Sequence, residues 1–172
     1  RTCYGSWTLA GPNGFLIPVR DKNGLIQGLK IRLDDDDDDR KYRWLSSRNM
    51  TNGTRSYSWV HVTGDTTSKR AYLTEGPLKG DVASFLANDA LFVCIGGVNS
   101  LNGLTDTLRS LNVTEVVEAM DMDQSTKPEV RKAILAMRKE IQAVKRWKYT
   151  KYTWDPAYKG VDDYLLSRVA AL

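Results

Sequence analysis

Two short apolar runs in the second half of the chain each end on a carboxylate, and this constrains the fold more than any other feature. Ala71-Tyr72-Leu73-Thr74 leads to Glu75-Gly76, and Val116-Val117-Glu118-Ala119-Met120 leads to Asp121-Met122-Asp123. Runs this short and this apolar read as buried strands of a parallel sheet. In open α/β sheets ligands bind at the carboxyl ends of the strands. Asp121 and Asp123 stand two apart, so a persisting strand puts them on one face. Carboxylates gathered on one rim repel each other. A divalent cation relieves that repulsion, and Mg²⁺ is commonly held by a few carboxylates together with substrate phosphates.

The segments around these runs alternate in period. Pro77 fits the first turn of a helix with Asp81 to Ala87 as its body. Leu91 to Ile95 reads as a strand and Leu101 to Leu111 as a helix, with Leu101, Leu104, Leu108 and Leu111 at helical spacing. Val130, Ile134, Met137, Ile141 and Val144 form the core stripe of a long helix, opened by the cap chemistry of Ser125-Thr126 and by Pro128. Lys148 to Trp154 reads as a strand, and Gly160 to Leu165 starts a closing helix. Strands alternating with helices predict a parallel sheet over residues 70–172.

The first part reads differently. Gly14 to Arg20 and Leu25 to Leu33 are strands joined by Asp21-Lys22-Asn23-Gly24, whose Asn-Gly suits a type I′ hairpin turn. Asp34 to Asp39 is a like-charge block, which reads as a solvated loop rather than a calcium site. Lys41 to Leu45 and Tyr57 to Val62 are further short strands, with His61 a surface or satisfied strand residue, and Gly64 to Lys69 reads as a linker. The expected organisation is a basic, mainly β subdomain over 1–69 and an α/β domain over 70–172.

Charge follows this division. Residues 1–74 hold 12 Lys/Arg against 8 Asp/Glu, six of the acids being the single aspartate run, whereas residues 75–172 hold 13 of each sign. A basic lobe joined to an acidic-edged sheet suggests a polyanion held by one part and acted on by the other, beside the plainer reading of an ordinary basic surface. Two cysteines and one histidine exclude a Cys/His zinc site. Cys94, inside an apolar run, reads as a buried free thiol, which fits a reducing, cytoplasmic setting. No apolar run approaches the roughly 18 residues of a membrane span. Beginning at Arg1 without Met, the chain reads as part of a longer protein, and the three Asn-x-Thr sequons as chance. Trp147, Tyr149, Tyr152 and Trp154 interleave with Lys145, Arg146, Lys148 and Lys151, a pattern that either stacks single-stranded bases or packs a lobe edge.

Leu73-Thr74-Glu75-Gly76 and Ala119-Met120-Asp121-Met122-Asp123 resemble the two signature motifs of Toprim domains, the compact parallel α/β module of bacterial primases, topoisomerases and some nucleases. Phe15 to Gly28, then Arg32, then Lys41-Tyr42, resemble the N-terminal subdomain of the bacterial primase RNA-polymerase core. Gly160 to Leu165 is similar to that core's later acidic motif. Glu75-Gly76-Pro77-Leu78-Lys79-Gly80-Asp81 is similar to Toprim-like domains of primase-like proteins from phages, plasmids and conjugative elements.

The resemblance implies a Toprim catalytic domain behind a primase-like subdomain, acting as a Mg²⁺- or Mn²⁺-dependent nucleotidyltransferase in DNA replication. It implies Glu75, Asp121 and Asp123 as metal-binding catalytic residues. Arg32, Lys41 and Tyr42, with Arg20 as a further basic candidate, would contact template or incoming nucleotide. The implied partners are single-stranded DNA, nucleoside triphosphates and a replicative helicase, with no membrane. Asp81 lies further from the glutamate than the second acid of replicative primases, which weighs against it as a ligand. Asp162 and Asp163 fit the later acidic motif and equally fit helix N-terminal acids. The residues after Asp123 lack the family's glycine-containing helix start. Two other readings share these residues: a Toprim nuclease using the same metals, and a non-catalytic nucleic-acid-binding module.

Overall fold

The structure, a computed structural model, describes residues 11–34, 41–97, 100–122 and 128–170. Asp123, the Ser125-Thr126 cap and Asp35 to Asp39 lie outside the described residues. Contacts divide the chain into two compact units, Arg1–Pro18 with Gly28–Tyr57 and Val19–Gln27 with Ser58–Leu172.

A three-stranded sheet runs in the order β1 (Gly14–Arg20), β2 (Ile26–Leu33), β3 (Tyr42–Trp44). Strand alternation sends Ile17, Val19, Ile31 and Leu33 inward. The β1–β2 turn departs from the type I′ geometry expected of Asn-Gly. Gly24 alone in it takes a positive φ, of 79°. The Asp21 carboxylate accepts the N–H groups of Asn23 (2.8 Å) and Leu25 (2.9 Å) and so holds Asn23 in an ordinary conformation.

The second sheet has the order β4 (His61–Thr63), β6 (Phe92–Ile95), β5 (Arg70–Glu75), β7 (Glu115–Glu118), β8 (Lys148–Lys151). The last four strands are mutually parallel, as the alternation of periods predicts, and β4 adds an antiparallel edge. That edge revises the expected boundary. Val60 and Val62 are buried, and β4 pairs His61 with Cys94 and Val62 with Val93. Residues 64–69 therefore connect two strands of one sheet rather than two lobes. The strand covers what would otherwise be an open hydrogen-bonding edge of β6.

Helices cover both faces. On one side Leu73, Val93, Ile95 and Val116 meet Leu104 and Leu108 of α2 (Leu104–Ser110) and Ile134, Met137 and Ile141 of α3 (Pro128–Gln142). On the other, Tyr72, Phe92, Cys94 and Ala119 meet Ala83 of α1 (Pro77–Leu86) and Val161 of α4 (Val161–Val169). The chain leaves β5 through α1 to β6 on one side, then crosses through α2 to β7 on the other. The winding thus reverses between β5 and β7, and the carboxyl ends of these two strands flank that point.

The aromatic–basic run at β8 is consumed by packing. Trp147 and Trp154 are buried in opposite cores, and Trp154 donates its indole N–H to the Tyr158 carbonyl at 2.8 Å. Tyr152 packs edge-on against Tyr72 and Tyr164. Period-two alternation in a strand covered on both faces accounts for this pattern.

Helix α1 lies close on β6 because Gly80 has no side chain: a Cβ there would sit 2.0 Å from the Cys94 Sγ. Cys94 is a buried free thiol whose pKa burial raises well above the usual range. Gly80→Ala is expected to lower stability by about 1–3 kcal/mol through overpacking. Chemical denaturation checks it, with Gly80→Ala/Cys94→Ala recovering most of the loss.

Candidate metal and nucleic-acid site

The acidic edge is built by four segments of the second unit. Glu75 is the last residue of β5, and Gly76 follows with φ 86°, a conformation that suits glycine and turns the chain into α1. Pro77 then starts the helix with no N–H to satisfy. β5 and β7 pair Leu73 with Glu118, and the ladder continues with Ala119 N–H donating to the Leu73 carbonyl at 2.8 Å. Carried forward, that register sets Glu75 beside Met120, one residue before Asp121. Met122 N–H donates to the Lys159 carbonyl at 2.9 Å, which pins Asp121-Met122 against the turn into α4.

Lys79, in the first turn of α1, forms an ion pair with Asp121; the two side chains are 20% and 13% exposed. The same ammonium acts electrostatically on Asp162, whose pKa is raised by burial first, lowered by Lys79 and raised again by Asp163. Asp162 Oδ1 is buried with no hydrogen-bond partner. Asp163 instead accepts the Gly160 N–H at 3.3 Å, at the start of α4.

Two expected residues stand elsewhere. Asp81 accepts a hydrogen bond from His61 Nε2 at 2.9 Å, which draws it toward β4, at the opposite edge of the sheet from β8. Burial works to raise the Asp81 pKa, but the bonds from His61 and Thr63 and the Arg20 charge carry it below the usual value. His61 is fully buried, and its Nδ1 accepts the Arg20 backbone N–H at 2.9 Å, so the proton resides on Nε2. It is a satisfied strand residue, and Arg20 serves it through the backbone.

Sequence reasoning missed Glu118. It lies inside an apolar run, is fully buried, and accepts Arg138 Nε at 2.7 Å and Nη2 at 2.6 Å, with Tyr149 O–H as a third donor. Burial opposes its ionisation, but the Arg138 and Tyr149 bonds hold its pKa below the ordinary glutamate value. Beside this clamp a cleft of about 420 Å³ opens, lined by Asp121, Met122, Arg131, Arg138 and Lys151 among others.

In the first unit the structure brings Arg32 and Tyr42 together. They are register partners, Arg32 Nη1 donates to the Tyr42 hydroxyl at 3.3 Å, and the guanidinium lies 5.3 Å from the ring centroid. Lys41 joins them through its carbonyl, which accepts the Leu33 N–H at 3.0 Å. Lys30 and Trp44, two pairs along, were not expected: the Lys30 ammonium is 5.1 Å from the Trp44 ring. The signal was available, since Lys30 and Arg32 alternate with inward Ile31 and Leu33 and so share the opposite face of the strand, where Lys30 itself is buried beneath the rings. Cations over aromatic rings on one sheet face form a surface suited to nucleotide bases and phosphates.

Among the described residues no three His, Cys, Asp or Glu side chains already enclose a metal position. The donor chemistry nonetheless fits Mg²⁺ or Mn²⁺. A buried carboxylate oxygen stands without a hydrogen-bond partner at Asp162, and Asp121 already binds a cation, the Lys79 ammonium. Mg²⁺ keeps much of its hydration and needs only one or two protein carboxylates. Among the described residues, no helix is long and apolar enough to cross a membrane.

No family model and no curated protein matches the sequence. Solved structures do. The DnaG primase catalytic domain bound to ssDNA aligns with a TM-score of 0.60 at 15% identity, over 89% of this chain and 47% of that one. A DNA primase domain from Pseudomonas aeruginosa gives 0.61 at 16%, over 89% and 46%. The E. coli primase catalytic core gives 0.59 at 14%, over 89% and 47%. The chain spans about half the length of the primase chains it matches. A mixed sheet with parallel strands between helices, preceded by a separate antiparallel sheet, gives this chain the fold of the part of these primase chains that it aligns with.

Proposed function

We propose that this chain is the catalytic part of a primase-type nucleotidyltransferase, extending RNA primers on a single-stranded DNA template from nucleoside triphosphates. The observation that carries the reading is the placement of Glu75 and Asp121 at the winding reversal of a sheet whose fold is shared with primase cores, one of them bound to ssDNA. Glu75, Asp121 and Asp123 would hold Mg²⁺ or Mn²⁺, with Asp162 adjoining. When bound, the metal supplies charge neutralisation at the phosphates and a lowered pKa for an attacking hydroxyl. The chain's own residues do the rest. Arg131, Arg138 and Lys151 present positive charge to phosphates in the cleft beside Asp121. Arg138 is oriented for this by Glu118, which fixes its guanidinium through two hydrogen bonds. Arg32, Lys41 and Tyr42 grip the template by charge and stacking.

Template-directed incorporation of labelled ribonucleotides with Mn²⁺ or Mg²⁺ tests the reading. Primer synthesis supports it. Cleavage of labelled single-stranded DNA without nucleotides supports the nuclease instead, and DNA binding without metal affinity supports a non-catalytic module.

For the template surface, Tyr42→Ala is expected to weaken single-stranded DNA binding by about 5- to 100-fold, the loss of one stacked base. Arg32→Ala is expected to lower the slope of log K against log salt by about one. Fluorescence anisotropy across a salt series measures both. Unchanged affinity and slope would remove this face from the proposed interface.

A further inference from the structure

The carboxylates at this edge are not simply exposed to solvent. Lys79 projects from the first turn of α1, directly after the Glu75-Gly76-Pro77 strand exit, and its ammonium pairs with Asp121. A Cβ on Gly160 would lie 2.2 Å from Asp162 Oδ1, 3.1 Å from Lys79 Cε and 3.3 Å from Lys79 Nζ. Asp162 Oδ1 and the Lys79 ammonium therefore both border the space that a side chain at 160 would enter. The lysine tip and both carboxyl groups are largely withdrawn from water, so their attraction is less screened than at an open surface.

We infer that Lys79 is the resident cation of this site: a tethered ammonium, paired with Asp121 and acting on the neighbouring Asp162, that a divalent ion must displace. The inference rests on the metal-binding reading proposed above. It assigns to Lys79 the setting of the site's metal affinity. An ammonium at carboxylate distance neutralises part of the charge that would draw the metal, and Asp121 cannot turn its oxygen to an incoming ion without releasing it. The lysine stem is long and flexible enough to leave without moving α1. Once displaced, the ammonium stays tethered within reach of the same edge, where phosphate oxygens would arrive.

The test measures Mn²⁺ affinity by electron paramagnetic resonance on the nucleic-acid-free protein. Lys79→Met and Lys79→Gln are expected to bind Mn²⁺ at least about 10-fold more tightly than the unsubstituted protein. Lys132→Met, which removes an exposed positive charge from α3 without touching the pair, should change affinity less than about threefold. Equal or weaker binding by the Lys79 variants overturns the inference, as does an equal gain from Lys132→Met, which would mark a diffuse charge effect. A second measurement needs no variant. Acetylation of Lys79 in the unsubstituted protein, followed by mass spectrometry, should accelerate at least about fivefold on saturation with Mn²⁺. An unchanged or slower rate with Mn²⁺ demonstrably bound overturns the inference and leaves the metal site standing. No Mn²⁺ binding by either the unsubstituted protein or the Lys79 variants removes both.

Discussion

Glu75→Gln and Asp121→Asn are each expected to reduce metal-dependent ribonucleotide incorporation by at least about 10³-fold, some 4 kcal/mol of transition-state stabilisation. Both substitutions keep size and hydrogen-bonding capacity and remove only the anionic charge that a divalent ion requires. Folding should survive. Glu75 ends a strand at the sheet rim, and Asp121 is opposed there by Lys79, which can turn to solvent when its partner is lost. Single-stranded DNA binding should also persist, since Arg32, Lys41 and Tyr42 lie in the first unit. Steady-state incorporation with Mg²⁺ and Mn²⁺, beside melting temperature and DNA affinity, makes the check. Activity within tenfold of the unsubstituted protein for either variant would exclude that residue from the metal set.

Arg138→Met is expected to be the most destabilising single change at the site, costing about 3–5 kcal/mol. It leaves the fully buried Glu118 carboxylate with Tyr149 O–H but without its cation. Glu118→Gln should cost less, about 1.5–3 kcal/mol, because Arg138 is 30% exposed and can reach water. Arg138→Met/Glu118→Leu should recover most of the loss, as replacing both members of a buried pair with apolar groups commonly does. The pair also gives stability a pH signature. Glu118 is held below the ordinary glutamate value of 4.5, so its contribution is complete above that value and is lost as pH falls through the lower native pKa. Denaturation from pH 7 to pH 3 should show the unsubstituted protein losing this increment on acidification, and Glu118→Gln losing less. Equal acid sensitivity would assign the pH dependence to other carboxylates.

The parts of the fold visible in the sequence are those in which one chain segment carries its whole signal. Leu73-Thr74-Glu75-Gly76-Pro77 states a buried strand, its acidic end, the turn and the helix start within five residues, and each occurs where expected. The stripe from Val130 to Ile141 in α3, with Val144 just beyond it, likewise contains its own period and packs as core. What escaped depends on partners distant in sequence. Glu118 sits among valines and reads as an interruption of a strand; its meaning depends on Arg138, 20 residues on, and Tyr149, 31 residues on. A carboxylate within a buried run does require a charged partner, and that requirement was the available signal. Lys79 looks like an ordinary helix-surface lysine until α4 places Asp162 and Gly160 beside it. The membership of His61–Thr63 in the second sheet has no local signature, because three residues carry no period. At β8 the misleading pattern has a physical origin, since aromatics turned into two cores and lysines left at the strand ends resemble a stacking platform. Asp81 and Asp163 show the reverse: acids at motif-like positions that the fold uses for His61 and for the start of α4.

The central claim is that carboxylates from β5 and the β7 exit share a divalent cation at the winding reversal of the sheet. Anomalous diffraction from a crystal of this protein soaked in Mn²⁺ tests it most directly. A peak within coordination distance, about 2.0–2.3 Å, of both a Glu75 and an Asp121 carboxylate oxygen, with Lys79 turned away, is the expected result. A fully soaked crystal in which Mn²⁺ is absent from that edge, or binds only at other carboxylates while Lys79 remains on Asp121, would contradict it.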